Sequence, residues 1–460
     1  MHLNLSHNLL VDLQQPFSNL PPYLSTLDLH SNLLHGRIPT PPQFSSYVDY
    51  SNNSFLSSIP DDIGTYMSFT VFFSVSKNNI SGIIPASICS ATYLQVLDLS
   101  NNALSGGIPS CLSENEALAV LNLRRNMFSG ILSGNFPGNC NLQTLDLNGN
   151  LLEGTIPESV ANYKELEVLN LGNNHIDDNF PCWLKNMSSL RVLVLRANRF
   201  HGPIGCPNSN STWAKLQIVD LSYNNFSGKL PAKAFLTWKA MMASEDGVQS
   251  KLNHMQFKVL EMSELYYQDA VTVTSQGQEM ELVKVLTLFT SIDFSFNNFE
   301  GQIPEEMGNF TSLYVLNLSG NGFTGQIPSS IGQLRQLESL DLSRNHLRGK
   351  IPREFVSLTF LSVLDLSFNQ LVGAIPSGNQ FQTFSEATFQ GNKGLCGQPL
   401  SVNCEEETPS PTFDDRHSAS RMEIKCEYIA PEIGFVTGLG IVIWPLVLCR
   451  RWEEKLLQTC

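Results

Sequence analysis

One motif recurs almost throughout this chain of 460 residues and limits it to a narrow set of folds. The stretches LQVLDLSNNALSGGIP (94–109) and LYVLNLSGNGFTGQIP (313–328) share the pattern LxxLxLxxNxLxGxIP. Repetition at a fixed period predicts a solenoid whose stacked coils share one continuous core, rather than several globular domains. The asparagine of the motif occurs fourteen times, mostly in steps of 24 residues: Asn8, Asn32, Asn53, Asn78, Asn102, Asn126, Asn150, Asn174, Asn198, Asn224, Asn297, Asn321, Asn345 and Asn369.

The residue types of the motif predict the path of each coil. The leucines of LxL alternate, so they point into the core from a short strand while their neighbours face outward. The asparagine turns inward where the strand ends and satisfies backbone groups that would otherwise be buried unpaired. We therefore expect an α/β-type leucine-rich-repeat solenoid with short parallel strands on its concave face, stacked ~4.8 Å apart.

The repeat stops once, between Asn224 and Asn297. The intervening sequence includes charged, mixed stretches and AVTVTS, which has β-branched strand character, and it is too short for an independent core. We expect it to pack on the solenoid as an insertion that presents a binding loop. The predicted organisation is repeats at 1–237, the insertion at 238–286, four repeats at 287–392, a cap at 393–404, an acidic linker at 405–428, a transmembrane helix at 429–449 and a tail at 450–460.

The C-terminal segment 433–449, IGFVTGLGIVIWPLVLC, carries no charge and is followed by Arg450 and Arg451. It predicts a single membrane-spanning helix, and the arginine pair places the tail in the cytosol and the repeats outside. Met1 begins inside a repeat without a signal peptide or N-terminal cap, so we expect a truncated chain. Without a signal, the helix alternatively inserts as a tail anchor that leaves the repeats in the cytosol.

Sequons and cysteines fit an extracellular location. Eight Asn-x-Ser/Thr sequons occur; Asn317, on the strand face, is a doubtful glycan site, and the expected sites are Asn4, Asn52, Asn79, Asn186, Asn210, Asn225 and Asn309. Of the ten cysteines, Cys140 has no evident partner, and no CxxC occurs, so we predict neither a metal nor a cofactor. The expected disulfide pairs are Cys396–Cys404 in the cap and, on adjacent coils, Cys89–Cys111 and Cys182–Cys206.

The GxIP form of the repeat resembles the extracellular repeats of plant leucine-rich-repeat receptors. The layout is similar to that of receptor-like proteins of the Cf and Ve immune-receptor type, which carry an island, four further repeats, one helix and no kinase. In that family the island often carries a tyrosine followed after eight residues by Lys-Gly; here Tyr267 is followed by Gln276 and Gly277, without the lysine.

The resemblance implies partners as well as a fold. It implies that the island and nearby concave face bind an extracellular protein or peptide ligand. The last four repeats, with strands around Ile292, Leu316, Leu340 and Leu364, would help to engage a co-receptor leucine-rich-repeat receptor kinase. Gly434 and Gly438 form a GxxxG pair that allows close helix packing, which by the family pattern serves an adaptor kinase. Chance use of glycine in a membrane helix is the alternative interpretation.

Outward positions on the strands suggest one candidate contact patch. Most are Val, Asp, Asn or Ser, but Arg124, Val192, Val194 and Arg196 form an apolar and cationic group. Ordinary surface variation is the competing explanation for this group.

The composition and motifs exclude some functions. A net charge of −14 argues against nucleic-acid binding, and no catalytic motif such as GxSxG or HExxH appears, so we predict that the chain is not an enzyme. The leading hypothesis is a kinase-less cell-surface receptor in plant defence. Developmental peptide perception, a non-functional truncated receptor and an inhibitor of cell-wall-degrading enzymes remain alternatives.

Overall fold

In a computed structural model, the chain is described at residues 1–13, 21, 23–134, 136–206, 213–242, 256–258, 266–268, 271–275, 278–282, 289–378 and 380–404. Residues Met1–Cys404 form one compact unit. Its main element is a parallel sheet of fourteen three-residue strands, paired in chain order along what we call the strand face. The strands are His2–Asn4, Thr26–Asp28, Tyr47–Asp49, Phe72–Ser74, Val96–Asp98, Val120–Asn122, Thr144–Asp146, Val168–Asn170, Val192–Val194, Ile218–Asp220, Ser291–Asp293, Val315–Asn317, Ser339–Asp341 and Val363–Asp365.

The repeated leucines and asparagines hold the coils together as predicted. The central leucines of the strands, such as Leu97 and Leu340, are fully buried. Asn321 donates its amide to the carbonyl oxygens of Phe294 in the preceding coil at 3.0 Å and of Leu318 in its own coil at 3.2 Å. Its Oδ1 accepts the N–H of Phe299 at 3.1 Å. From Asn32 onward, each repeat asparagine closes its own turn and bonds to the coil before it, which confirms the role predicted from the sequence.

This row of asparagine hydrogen bonds, the asparagine ladder, continues one coil further than the sequence motif indicates. Asn392 lies outside the repeat pattern, yet its amide donates to the carbonyl oxygens of Leu366 and Phe389, and its Oδ1 accepts the N–H of Leu371. The strand Gly394–Cys396 then pairs with Gln370–Ala374, and a disulfide joins Cys396 to Cys404. This last half-coil covers the end of the core.

The other side of the coils is built from short strands and helical turns. One seven-stranded sheet contains His35–Gly36, Ser54–Ser57, Asn79–Gly82, Ala103–Gly106, Met127–Ile131, Leu151–Gly154 and His175–Ile176. A second contains His201–Gly202, Asn225–Gly228, Asn298–Gln302, Gly322–Gln326, His346–Gly349, Gln370–Ala374 and Gly394–Cys396. The α-helical turns are Ile63–Tyr66, Ser110–Glu114 and Ala232–Phe235. The 3-10 turns are Ala86–Ser90, Glu158–Asn162, Cys182–Asn186, Lys239–Met241, Glu305–Asn309, Ser329–Gln333, Arg353–Ser357, Phe381–Thr383 and Glu386–Phe389.

The insertion does not interrupt the sheet. The strand Ile218–Asp220 pairs directly with Ser291–Asp293, so ten strands precede the insertion and four follow it without a break in register. Within the insertion, Gln256–Lys258 pairs with Tyr266–Gln268, and Val271–Ser275 pairs with Gln278–Leu282, both antiparallel. The insertion therefore contains two hairpins and leaves the solenoid between two neighbouring coils.

Among the described cysteines three disulfides form, Cys89–Cys111, Cys182–Cys206 and Cys396–Cys404, which are the three expected pairs. Cys140 is buried and free. Across the described ranges, no helix is both long enough and apolar enough to cross a bilayer. The predicted transmembrane segment at 429–449, with Gly434 and Gly438, lies outside the described residues.

Candidate ligand-binding surface

The first residues of the predicted insertion belong to the solenoid core. Trp238 stacks on Phe310 with ring centroids 5.8 Å apart and meets Phe235 edge-on at 5.1 Å. Met241 is fully buried, and its carbonyl oxygen accepts the N–H of Ser312 at 3.1 Å. The insertion predicted from Trp238 therefore remains in the core through residue 242. This anchoring fixes the point at which the chain leaves the coils.

Tyr267 places part of the insertion on the strand face, far from residue 242, where the chain leaves the coils. Its ring is buried against Phe72, Val96 and Val120, side chains of three successive strands. Its hydroxyl accepts a hydrogen bond from the Asn122 amide at 2.7 Å and donates to Asp98 Oδ2 at 3.4 Å. A buried tyrosine needs such partners for its hydroxyl. Tyr267 thus acts as an anchor between the insertion and the strand face.

Arg124 lies beside this anchor as the counter-ion of buried carboxylates. It is 4% exposed. Burial raises the pKa of Asp98, while hydrogen bonds from Ser100, the charge of Arg124 and the Tyr267 hydroxyl act in the opposite direction. Burial likewise raises the pKa of Asp146 to about 6 against the opposing charge of Arg124. Arg124 therefore stabilises two carboxylates of the protein itself.

Arg196 has the same role further along the sheet. Its guanidinium lies 3.6 Å from Asp220 Oδ2 and 5.7 Å from the centre of the Tyr223 ring. Burial, followed by the charge of Asp220, raises the pKa of Asp293 to about 7, and Arg196 acts to lower it. An anionic ligand would have to compete with these carboxylates for the arginine.

The candidate contact patch is buried in the structure. Val192 and Val194 are 0% and 1% exposed, and Arg196 is 5% exposed. Both valines belong to a buried cluster with Val168 and Ile218, against which Phe289 packs where the chain re-enters the repeats. The alternation of side chains correctly places these residues on the strand face, but it contains no information about what lies on top of it. A ligand at this patch would need that cover to move.

Beyond the insertion the strand face is more open. Asp341, Val363 and Asp365 are only partly buried. Burial raises the pKa of Asp341, and the nearby charge of Asp365 acts in the same direction, whereas hydrogen bonds from Ser343 lower it. This accessible part of the face is acidic.

An exposed aromatic row, which the sequence analysis missed, follows one edge of the C-terminal coils. We call Tyr223, Phe296, Arg344 and Phe368 the aromatic edge; each immediately precedes a repeat asparagine and has a φ angle between 50° and 54°. Tyr223 stacks on Phe296 with ring centroids 4.6 Å apart, and the guanidinium of Arg344 lies 4.9 Å from the centre of the Phe368 ring. The sequence signal is the aromatic residue directly before the repeat asparagine, a position where Asn is the most frequent residue in the other coils.

Gly320 makes room for the Phe296 ring in the middle of this edge. A Cβ atom at Gly320 would lie 2.9 Å from Cδ1 of Phe296, closer than side chains tolerate. The absent side chain lets the Phe296 ring lie against the next coil. Tyr223, Phe296 and Phe368 remain 47%, 41% and 44% exposed. Large, rigid, exposed aromatic side chains are typical of protein interfaces.

The remaining predicted positions fall into two groups. The sequon asparagines Asn4, Asn52, Asn79, Asn186, Asn225 and Asn309 are exposed, whereas Asn317 is buried on the strand face. Gln276, Gly277 and Asn210 lie outside the described residues.

Comparison with known proteins identifies the repeat. Two family models described as leucine-rich repeats match the chain, one at 140–200 and 311–371 and the other at 93–115, 215–233 and 289–310. Receptor-like protein 33 of Arabidopsis thaliana is 51% identical over 266 residues, which cover 57% of this chain and 29% of that protein. Receptor-like protein 43 of the same plant is 49% identical over 265 residues, covering 56% of this chain and 36% of that protein. The match thus spans well under half the length of these relatives.

Solved receptor structures share the fold. The plant peptide hormone receptor RGFR1, in complex with RGF2, superimposes with a TM-score of 0.66 at 27% identity, covering 85% of this chain and 59% of that one. A TDR receptor gives a TM-score of 0.61 at 25% identity, covering 88% of this chain and 69% of that one. These plant receptors thus share the leucine-rich-repeat solenoid with this chain.

Proposed function

Because the chain is a member of the plant leucine-rich-repeat receptor-like protein family, we propose that it is a kinase-less cell-surface receptor that signals through partner receptor kinases. It is not an enzyme, since this family consists of ligand-binding repeat proteins. The repeats and insertion bind an extracellular protein or peptide, and the cell uses this recognition in defence. The observation that carries the proposal is the insertion itself, which leaves an unbroken sheet and returns to the strand face at Tyr267.

The ligand site lies where the covered and open parts of the strand face meet. The patch around Val192 and Arg196 is buried, and Phe289 packs against its valines. Asp341 and Asp365, in contrast, remain accessible. An acidic accessible surface suits a ligand with a basic group, because opposite charges speed encounter and favour the correct partner. RGFR1, a plant peptide hormone receptor, was solved in complex with RGF2, which supports a peptide ligand; developmental peptide perception is the second candidate role.

The aromatic edge is the proposed docking surface for a co-receptor ectodomain. It lies on the coils that follow the insertion and on the last coil before it, so a partner seated there would be next to the ligand. Phe296 and Phe368 offer ring area held rigid by the backbone, and Arg344 adds a cation already packed on a ring. Truncating an anchor of this kind commonly weakens an interface by ~2 kcal/mol or more.

Binding to a panel of leucine-rich-repeat receptor-kinase ectodomains tests this surface directly. The chain, purified in detergent, should bind at least one ectodomain, and the double variant Phe296→Ala, Phe368→Ala should bind it at least tenfold more weakly. Phe360→Ala is the matched control, because Phe360 is 61% exposed but does not belong to the aromatic edge. Equal losses from the edge variant and the control would refute the assignment of this surface.

The location of the repeats needs its own experiment. The chain should be expressed in plant cells with a C-terminal tag, and its mass compared before and after deglycosylation. The proposal predicts a membrane-bound chain that loses several glycans from Asn4, Asn52, Asn79, Asn186, Asn210, Asn225 and Asn309. A membrane-bound chain without a mass shift would place the repeats in the cytosol and contradict the receptor function of this chain. Defence and development are separated by whether expression changes the response to microbial extracts or growth.

A further inference from the structure

A cluster of metal-ligating side chains lies at the N-terminal end of the strand face. Asp28 and Asp49 occupy paired positions on adjacent strands, and His30 follows the first of these strands. His30 Nδ1 lies 2.7 Å from Asp28 Oδ1 and 4.0 Å from Asp49 Oδ2. One ligand atom from each residue falls within 4.8 Å of the others. We propose that Asp28, His30 and Asp49 bind a divalent transition-metal ion such as Zn²⁺.

The two carboxylates are oriented for this role. Asp28 Oδ2 accepts a hydrogen bond from the Asn4 amide at 3.0 Å, and Oδ1 accepts the backbone N–H of His30 at 3.1 Å while it also lies 2.7 Å from His30 Nδ1. Asp49 Oδ1 accepts the N–H of Ser51 at 2.9 Å, and Oδ2 faces His30 while accepting the Tyr47 hydroxyl at 3.3 Å. In both residues one oxygen is bound only by the scaffold, and the other has one scaffold hydrogen bond and also points to the common centre.

The burial of the two carboxylates favours cation binding. Asp28 and Asp49 are only 6% and 8% exposed, and the strand register places them side by side. Two carboxylates taken out of water at this spacing repel each other, and a cation between them removes the repulsion. The net charge of −14 adds to the attraction of a cation.

His7 completes the arrangement from the preceding coil. His7 Nε2 lies 2.9 Å from His30 Nε2, and the two rings are nearly perpendicular. Two imidazole nitrogens at this distance share one proton. The contact of 2.7 Å between His30 Nδ1 and Asp28 Oδ1 is a hydrogen bond in the ion-free chain, so ion binding displaces the proton between them to solvent. In the ion-bound form Nε2 of His30 carries a proton, Nδ1 presents its lone pair to the ion, and His7 fixes the ring by accepting the hydrogen bond. Ligating histidines are usually oriented in this way through their second nitrogen.

The donor set selects the kind of ion. One imidazole nitrogen and two carboxylate oxygens suit Zn²⁺ or Mn²⁺, with the remaining positions taken by water. Ca²⁺ and Mg²⁺ prefer oxygen ligands and should bind poorly. Paired cysteines are a common sequence sign of a zinc site, and this chain lacks them, so no metal site was predicted from the sequence. The available signal is Asp-x-His at one strand end followed by aspartate at the same strand position one coil later.

Zinc titration of the untagged full chain in detergent tests the proposal. After removal of metal with a chelator, calorimetry and competition with a chromophoric chelator should show one Zn²⁺ per chain. His30→Gln should abolish this binding, and Asp49→Asn should weaken it at least tenfold. His7→Ala should weaken it about tenfold, which is less than the effect of Asp49→Asn, because only the orientation of His30 is lost.

The matched control is His201→Gln. His201 Nδ1 lies 3.3 Å from Asp177 Oδ1, but both side chains are about half exposed, so this histidine–carboxylate pair should not contribute to the site. Visible absorption of Co²⁺ added to the wild-type chain, and its displacement by Zn²⁺, gives a readout that does not depend on the folding of any variant.

Three results would overturn the proposal. The first is the absence of stoichiometric Zn²⁺ or Co²⁺ binding by the wild-type chain. The second is binding that His30→Gln and Asp49→Asn leave unchanged. The third is loss of binding in His7→Ala with full affinity in Asp49→Asn, because that pattern would place the ion between the two Nε2 atoms.

Discussion

Tyr267→Phe tests whether the insertion is held on the strand face by a single anchor. The substitution keeps the ring but removes the hydroxyl that contacts Asn122 at 2.7 Å and Asp98 at 3.4 Å. A buried polar group that loses its partner destabilises the structure by ~1–3 kcal/mol. Asp98 retains its hydrogen bond from Ser100, so the lower half of this range applies here. We therefore expect the docked insertion to lose ~1–2 kcal/mol, which raises its undocked population roughly 5- to 30-fold.

Limited trypsin digestion after Lys258 measures that population. When undocking is fast compared with cleavage, the cleavage rate follows the fraction of open molecules, so it should rise by the same factor. Tyr267→Ala also removes the ring from Phe72, Val96 and Val120. Truncating a buried aromatic side chain costs ~3–5 kcal/mol, so cleavage should become faster still. The unfolding midpoint of the solenoid should change little, since its coils do not depend on the anchor.

Tyr223→Phe is the matched control, because Tyr223 is 47% exposed and lies on the coils rather than on the insertion. It should leave the cleavage rate at the wild-type value. A cleavage rate in Tyr267→Phe equal to that of the wild type would refute the anchoring role of the hydroxyl.

Three further predictions concern the solenoid. Asn321→Ala removes hydrogen bonds to two coils and should destabilise the chain by ~2–4 kcal/mol in urea denaturation. Asn298 is exposed, so the control Asn298→Ala should have a small effect. Equal effects of the two substitutions would contradict the stabilising role of the repeat asparagines. Replacing Cys182 and Cys206 by serine should cost ~2–4 kcal/mol, and an unchanged midpoint would show that the disulfide adds no stability. Burial holds the pKa of Asp293 at about 7, above its ordinary 3.8, so the folded state binds this proton more tightly and the group destabilises the fold as pH rises through that interval. Asp293→Asn should therefore be more stable than the wild type above about pH 7 and lose this advantage near about pH 4, and parallel stability curves would refute the assignment.

The repeat could be predicted because its stabilising contacts are periodic. Asn321 bonds to its own turn and to the coil before it, and the same residue types return every 24 residues to make the same bonds. The disulfide between Cys182 and Cys206 follows from the same geometry, since a separation of 24 residues places two side chains on neighbouring coils. Asn392 escaped prediction because it takes the ladder position without the leucine pattern before it.

The candidate sites were harder to predict because they combine residues from different coils. The aromatic edge is visible only when the residues before successive asparagines are compared, and Gly320 matters only because the Phe296 ring lies against it. The cluster of Asp28, His30 and Asp49 depends on strand register, which pairs two aspartates across a step of 21 residues instead of 24.

The sequence by itself determined the solenoid, the coils between which the insertion leaves and the placement of the paired cysteines on neighbouring coils, because each depends on contacts within a coil or between neighbouring coils. Only the tertiary structure decided which part of the strand face is accessible. The bond between Asn122 and Tyr267 joins residues 145 positions apart, and no periodic pattern encodes such a contact. Burial of Arg124 and Val192 depends on contacts of this kind, so side chains that alternation places outward became part of an interior surface.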